Sequence, residues 1–160
     1  FPSDVPEDIS DLDFVIYNDV FEHIPALNET VEATSKKLKQ NGFMIINIPL
    51  STGFFYKIAK IANFVGFPDL LERLWQFNFY TPHVHYHSKK SVKYLCEKYG
   101  FELVDYHKIT TLTKDDVSYR ITADNKLNKY SYILIPLLSL VLPVINFFKE
   151  DTGVFYLKKS

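Results

Sequence analysis

Two apolar runs flank a polar segment near the start of the chain, and this pattern predicts its architecture. Phe14, Val15, Ile16 and Tyr17 form a continuous run of β-branched and aromatic residues, and Phe43 to Ile48 form a second, broken only by Asn47. Neither alternates strictly, so both are expected as strands buried on both faces. Between them Leu27, Val31, Thr34 and Leu38 recur at helical spacing, with Gly42 as the expected C-cap. Strand, helix and strand over residues 13–49 make a βαβ unit, whose crossover should be right-handed. Just after the first strand the chain turns polar at Asn18, Asp19, Glu22 and His23. Ligands of open α/β sheets bind outside the carboxyl ends of the strands, so this cluster is a candidate site.

Residues 54–65 read as a helix that is apolar nearly all round. Gly66 and Pro68 end it, and Asp69 is expected to cap a second helix over 70–77. Trp75, Phe77, Phe79 and Tyr80 then line either a pocket or a core. His83, His85 and His87 would share one face of a strand, which invites a metal reading, whereas Pro82 favours a loop. Ser88 is the expected N-cap of a helix over 89–99, striped by Val92, Leu95, Cys96 and Tyr99 and ended by Gly100. Cys96 on that stripe reads as core rather than nucleophile. Residues 101–109 form a strand with one wetter face. Residues 110–129 are polar, with a short strand expected at 117–122, and residues 154–157 read as a final strand. Residues 130–148 carry no charge over nearly the length of a bilayer span, and Pro136 and Pro143 interrupt them. A buried or interface helix is expected there first, a membrane-surface helix second and a span third.

Composition narrows the class. Of 160 residues 47% are hydrophobic and 23% charged, the balance of a globular domain. The net charge of -1 creates no field for nucleic acid, which is not expected as a partner. One cysteine cannot close an internal disulfide, so a cytoplasmic setting is expected, with peripheral membrane contact through 130–148 as the variant. The chain starts at Phe1 without a signal-peptide pattern and reads as a piece of something longer.

Asp19-Val20-Phe21-Glu22-His23, then a helix, Gly42 and an apolar strand ending at Pro49 resemble the class I S-adenosylmethionine-dependent methyltransferases. The likeness is greatest to the ubiquinone-type O-methyltransferase branch. It covers roughly residues 12–109 and 153–159 and implies an α/β fold. That fold is the C-terminal half of a doubly wound Rossmann-like sheet, in strand order four, five, seven, six, with a helical cap insert. The implied divisions are an entry loop (1–12), strand-helix-strand (13–49), cap (50–80), helix and strand (81–109), polar insert and apolar helix (110–152) and final strand (153–160).

The five glycines, at 42, 53, 66, 100 and 153, form no Gly-rich loop, so S-adenosylmethionine binding is expected to need a preceding half-domain. The resemblance implies cofactor contacts from Asn18, Asp19 and Val20 and a divalent-metal set of Asp19, Glu22 and His23, with Mg2+ as the ion. His23 is then either a general base or a structural histidine at the helix entry, and His83 is a second catalytic candidate on the substrate side. The implied reaction is methyl transfer to a small acceptor, apolar or lipid-linked. The rival reading is a non-catalytic half-domain serving oligomerisation or membrane-surface contact. The first strand would lie at an open sheet edge, so the chain is expected to form a homo-oligomer.

Overall fold

The computed structural model describes residues 6, 9–77, 79–109, 113–123, 128–147 and 151–160. Strand β1 (Leu12–Asn18) runs parallel to β2 (Leu38–Pro49), joined by helix α1 (Leu27–Lys37). The last strand, β4 (Thr152–Lys159), inserts antiparallel between β2 and β3 (Phe101–Ile109). The order β1-β2-β4-β3 is the one expected of the four-five-seven-six half-sheet. Helix α4 (Lys89–Glu97) precedes β3, and Ser88 caps it through a reciprocal box with Ser91.

Alternate strand residues face α1 and α4 and form the core. Val31, Met44, Ile46, Ile48, Val92, Cys96, Phe101, Phe155 and Leu157 make one buried cluster. Burial pushes the Cys96 thiol up to about 12, as befits a core residue. The Tyr17 hydroxyl donates to Thr34 Oγ1 at 2.5 Å, and Thr34 donates in turn to the Thr30 carbonyl, tying β1 to α1.

The opposite face of β1 corrects the expectation of strands buried on both sides. Phe14 and Ile16 are 58% and 64% exposed, because among the described residues only one face of β1 is covered. Gly42 does not cap α1 either. The helix ends at Lys37, and Lys159 Nζ donates to the carbonyls of Ser35 and Leu38, supplying from another strand what a glycine cap would supply locally. Gly42 instead lies inside β2, where a Cβ would come within 3.0 Å of the Leu12 carbonyl oxygen. Asn41 beside it takes the left-handed turn, at φ 66°.

Helices α2 (Phe54–Phe64) and α3 (Asp69–Trp75) follow β2 and pack on each other. Asp69 is the first residue of α3 rather than its cap, which is Pro68. Phe77, Phe79 and Tyr80 are exposed rather than in the core, whereas Trp75 packs against Tyr86 at 5.0 Å. Residues 82–86 form no strand, and His87 makes a single bridge to Leu50, so the three histidines share no strand face.

The strand expected at 117–122 is helical, within α5 (Lys114–Ala123). Val117 and Ile121, four apart, pack with Leu142 of α6 (Ser131–Phe147), so the apolar period is that of a helix. The polar run 124–126 lies outside the described residues. Helix α6 turns Leu134, Ile135 and Leu138 to this small cluster and leaves Ile133, Leu137 and Leu140 exposed. No helix among the described residues is long and apolar enough to cross a membrane.

Candidate active site

The site grows from the turn after β1. Phe21 is fully buried, edge-on to Tyr17 at 5.4 Å and against His87 at 5.9 Å, and Ile24 is also buried. These two anchors fix the short 3-10 turn Phe21–His23 and thereby hold Glu22 and His23. The distant segment 81–88 is sewn to this turn by backbone bonds. The amides of Val84 and His85 both donate to the Glu22 carbonyl, at 2.9 and 3.1 Å. The His83 amide donates to the Trp75 carbonyl at 3.0 Å, and the Ser51 amide to the His87 carbonyl at 2.8 Å. His83 is thus carried to Glu22 by main-chain geometry, and the His23 and His83 rings meet edge to face at 4.7 Å.

A cavity of about 520 Å³ opens between this cluster and the α2–α3 pair. Leu50, Phe55, Ile58, Ala59, Leu70 and Leu74 give it apolar walls, and Glu22, His23, His83 and Tyr86 make a polar patch in its lining. Asp151 also lines it and accepts from the Phe55 amide at 2.9 Å, satisfying the start of α2, where the N-cap Gly53 has no side chain to offer.

The protons of the polar patch follow from its partners. His23 Nδ1 lies 2.9 Å from the Pro82 carbonyl, which can only accept, so Nδ1 carries the proton and the neutral tautomer has its lone pair on Nε2. The Tyr86 hydroxyl donates to the Leu74 carbonyl at 2.9 Å, so its oxygen accepts from His83 Nδ1 at 3.1 Å. His83 therefore also has its lone pair on Nε2. Burial, helped by the neighbouring His23, holds His83 down at about 4, which keeps it neutral near pH 7. Burial likewise raises the Tyr86 phenol. Both Nε2 atoms lie 4.0 Å from Glu22 Oε1. Glu22 is 2% exposed, its Oε2 has no hydrogen-bond partner among the described residues, and burial raises its pKa.

At the other side of the turn Asn18, Asp19 and Val20 stand exposed at the end of β1. Asn47 donates to Asn18 Oδ1 at 2.8 Å, and the Asp19 amide donates to the Asn47 carbonyl at 3.0 Å. Asp19 adopts φ 52°, and Asn47 Oδ1 is buried without a partner among the described residues.

A family model described as a methyltransferase domain matches residues 3–106. The chain belongs to this methyltransferase domain family. Comparison with curated proteins gives no match. Several solved structures share the fold of this methyltransferase domain. One is a putative sarcosine dimethylglycine methyltransferase from Galdieria sulphuraria, 15% identical with a TM-score of 0.57, covering 100% of this chain and 57% of that one. Another is a cyclopropane synthase from Mycobacterium tuberculosis, 14% identical, TM-score 0.56, covering 94% and 56%. A third is phosphoethanolamine N-methyltransferase 2 of Haemonchus contortus in complex with S-adenosyl-L-methionine, 18% identical, TM-score 0.55, covering 92% and 33%. The chain spans between a third and three fifths of the length of these three structures.

Within the methyltransferase domain, the structure brings Glu22 and His23 together as the spacing suggested, but the third member of the cluster is His83. The donor atoms of Glu22, His23 and His83 all lie within 4.8 Å of one another, and Asp19 is not in this group. Two imidazoles and one carboxylate are a poor match for Mg2+, which prefers oxygen ligands. Sequence reasoning missed Tyr86 and Asp151. Tyr86 sits only three residues from His83 and was readable as its partner; Asp151 carried no local signal.

Proposed function

We propose that this chain is part of an S-adenosylmethionine-dependent methyltransferase whose acceptor occupies the cavity between the carboxyl ends of β1 and β2 and the α2–α3 cap. The single observation that carries the reading is that cavity, about 520 Å³ with apolar walls and a polar patch, in a chain of the methyltransferase domain family. The cofactor, when bound, supplies a methyl group on a sulfonium that passes to the acceptor's nucleophile. Asn18, Asp19 and Val20 are the residues assigned to hold it, and the unpartnered Asn47 Oδ1 beside them is an acceptor suited to a hydroxyl or amine.

The domain's own residues position the acceptor and handle its proton. The walls from α2 and α3 seat an apolar body and exclude water. Where no cation holds the patch, Nε2 of His23 can take a hydroxyl proton, the neutral Nε2 of His83 can accept a hydrogen bond from the acceptor, and Glu22 stabilises the resulting charge. This supports an oxygen acceptor of the ubiquinone-type branch, small and apolar or lipid-linked. Exposed aromatics on the cap, including Phe64 at 90% and Phe67 at 70%, fit delivery of such an acceptor from a lipid surface.

The test is a radiolabelled methyl-transfer assay on the natural polypeptide that contains this chain, with pools of apolar hydroxylated lipids and of polar amines. Saturable labelling of the lipid pool is expected. Labelling confined to polar amines would overturn the acceptor assignment, and no S-adenosylhomocysteine binding at all would overturn the reaction.

A further inference from the structure

The polar patch holds more acceptors than protons. His23 Nε2, His83 Nε2 and the Glu22 carboxylate converge within 4.8 Å, and each ring's proton is committed to the far side. Three lone-pair donors facing one another are relieved by a shared proton or by a cation, and a metal ion is the one partner that satisfies all three at once. The second partner of His23, a backbone carbonyl, is one that metal-bound histidines use, and the Tyr86 hydroxyl oxygen holds the Nδ1 proton of His83 in the same way.

We propose that Glu22, His23 and His83 bind a divalent first-row transition metal ion, with zinc as its representative. The resemblance implies Mg2+ on Asp19, Glu22 and His23, and the structure disagrees on both the third ligand and the ion. A set of two nitrogens and one oxygen is the ligand set of open zinc sites and of other borderline ions, and it leaves a coordination position free. In a tetrahedral site with bonds of about 2.0–2.2 Å the donor atoms lie about 3.4 Å apart, so side-chain rotations must bring Glu22 Oε1 about 0.6 Å closer to each Nε2 than the observed 4.0 Å. The free position faces the cavity, where the ion would bind and acidify an acceptor hydroxyl. That role rests on the proposed acceptor cavity; the binding itself does not.

The experiment is calorimetric titration of zinc, and spectroscopic titration of cobalt(II), into the full 160-residue chain. Stoichiometric binding is expected, with the visible absorption of four- or five-coordinate cobalt. His83→Asn and Glu22→Gln should weaken zinc by about 100-fold or more, beyond what losing a mere supporting residue costs. Asp19→Asn and His85→Asn should leave it unchanged. Because His83→Asn could disturb the fold, imidazole nitrogen NMR of the unaltered chain supplies a second readout. Zinc should move the Nε2 resonances of His23 and His83 while both Nδ1 atoms stay protonated. Absence of stoichiometric binding, or zinc that survives His83→Asn, would overturn the proposal. Parallel titration with S-adenosylhomocysteine separates the two readings. Cofactor binding without zinc binding overturns the metal site alone, and zinc binding without methyl transfer by the natural polypeptide supports the site and overturns the reaction.

Discussion

The two sheet edges differ in a way that predicts self-association of this chain. Edge strand β3 carries Glu102, Asp105, His107 and Lys108, charges that discourage pairing with a second copy. Edge strand β1 carries Phe14, Val15 and Ile16, with Phe14 58% and Ile16 64% exposed. Phe14 stacks on Phe43 of β2 at 5.9 Å, so the apolar patch continues across the pair. Each of the two side chains leaves on the order of 100 Å² of apolar surface open, and covering it is worth about 2.5 kcal/mol at about 25 cal/mol per Å². A twofold dimer joined through β1 covers both residues on both copies, about 10 kcal/mol gross, and edge pairing adds about 1 kcal/mol per hydrogen bond. With about six such bonds and an association cost near the middle of the range of about 4–15 kcal/mol, about 6 kcal/mol remains, a Kd on the order of tens of micromolar. Ile16→Lys removes half of the apolar gain and puts an ammonium group on the patch of each copy. Sedimentation velocity from about 1 to 500 µM brackets that Kd. The unaltered chain should shift from monomer to dimer over this range, and the Ile16→Lys variant should stay monomeric. A unaltered chain that remains monomeric throughout, or a variant that dimerises equally well, would refute the argument from the open edge.

Tyr86→Phe keeps the ring against Tyr56 at 4.6 Å and Trp75 at 5.0 Å and removes only the hydroxyl between His83 and Leu74. It should cost about 1–2 kcal/mol in urea unfolding, and a loss above about 4 kcal/mol would mean that the hydroxyl does more than these two bonds. His87 is held down at about 4 by burial and, secondarily, by His85, against an ordinary value of 6.5. A depressed imidazole binds fewer protons folded than unfolded, so its stabilisation is complete above pH 6.5 and is lost as pH falls toward 4. At about 1.4 kcal/mol per pH unit its share is at most roughly 3 kcal/mol. Glu22 and Asp151, raised by burial, act in the opposite sense, so the test is a difference: His87→Asn should flatten the fall in stability between these pH values, and an unchanged slope would contradict the burial. For the lipid-surface reading, the chain should sediment with anionic vesicles through its exposed cap aromatics and the exposed Lys57 and Lys60. Phe64→Ser with Phe67→Ser should then lower vesicle affinity by at least about 30-fold, and equal sedimentation would exclude the cap as the contact.

The sheet was readable because its information is local. Phe14–Tyr17 and Phe43–Ile48 are short runs rich in β-branched and aromatic residues, which favours strands over buried helix, and the helical stripe between them implies a parallel crossover. Where local signals compete with tertiary partners, the partners win. Gly42 has the chemistry of a helix cap, yet Lys159 reaches the last carbonyls of α1 from β4, and the glycine is released to pass the Leu12 carbonyl. Val117 and Ile121 suit a strand by composition, but α6 offers them a helical face. The candidate site divides along the same line. Glu22 and His23 are adjacent and anchored by Phe21 and Ile24, so their pairing is written in the spacing. His83 joins them because the Glu22 carbonyl accepts the amides of Val84 and His85, and no side-chain pattern encodes a backbone bond. That one exchange, an imidazole in the place of the Asp19 carboxylate, turns an oxygen-rich set into a nitrogen-rich one. The ion suited to this site is therefore set by a main-chain contact between the first turn and the segment before α4, and not by the acidic motif in which two of its ligands lie.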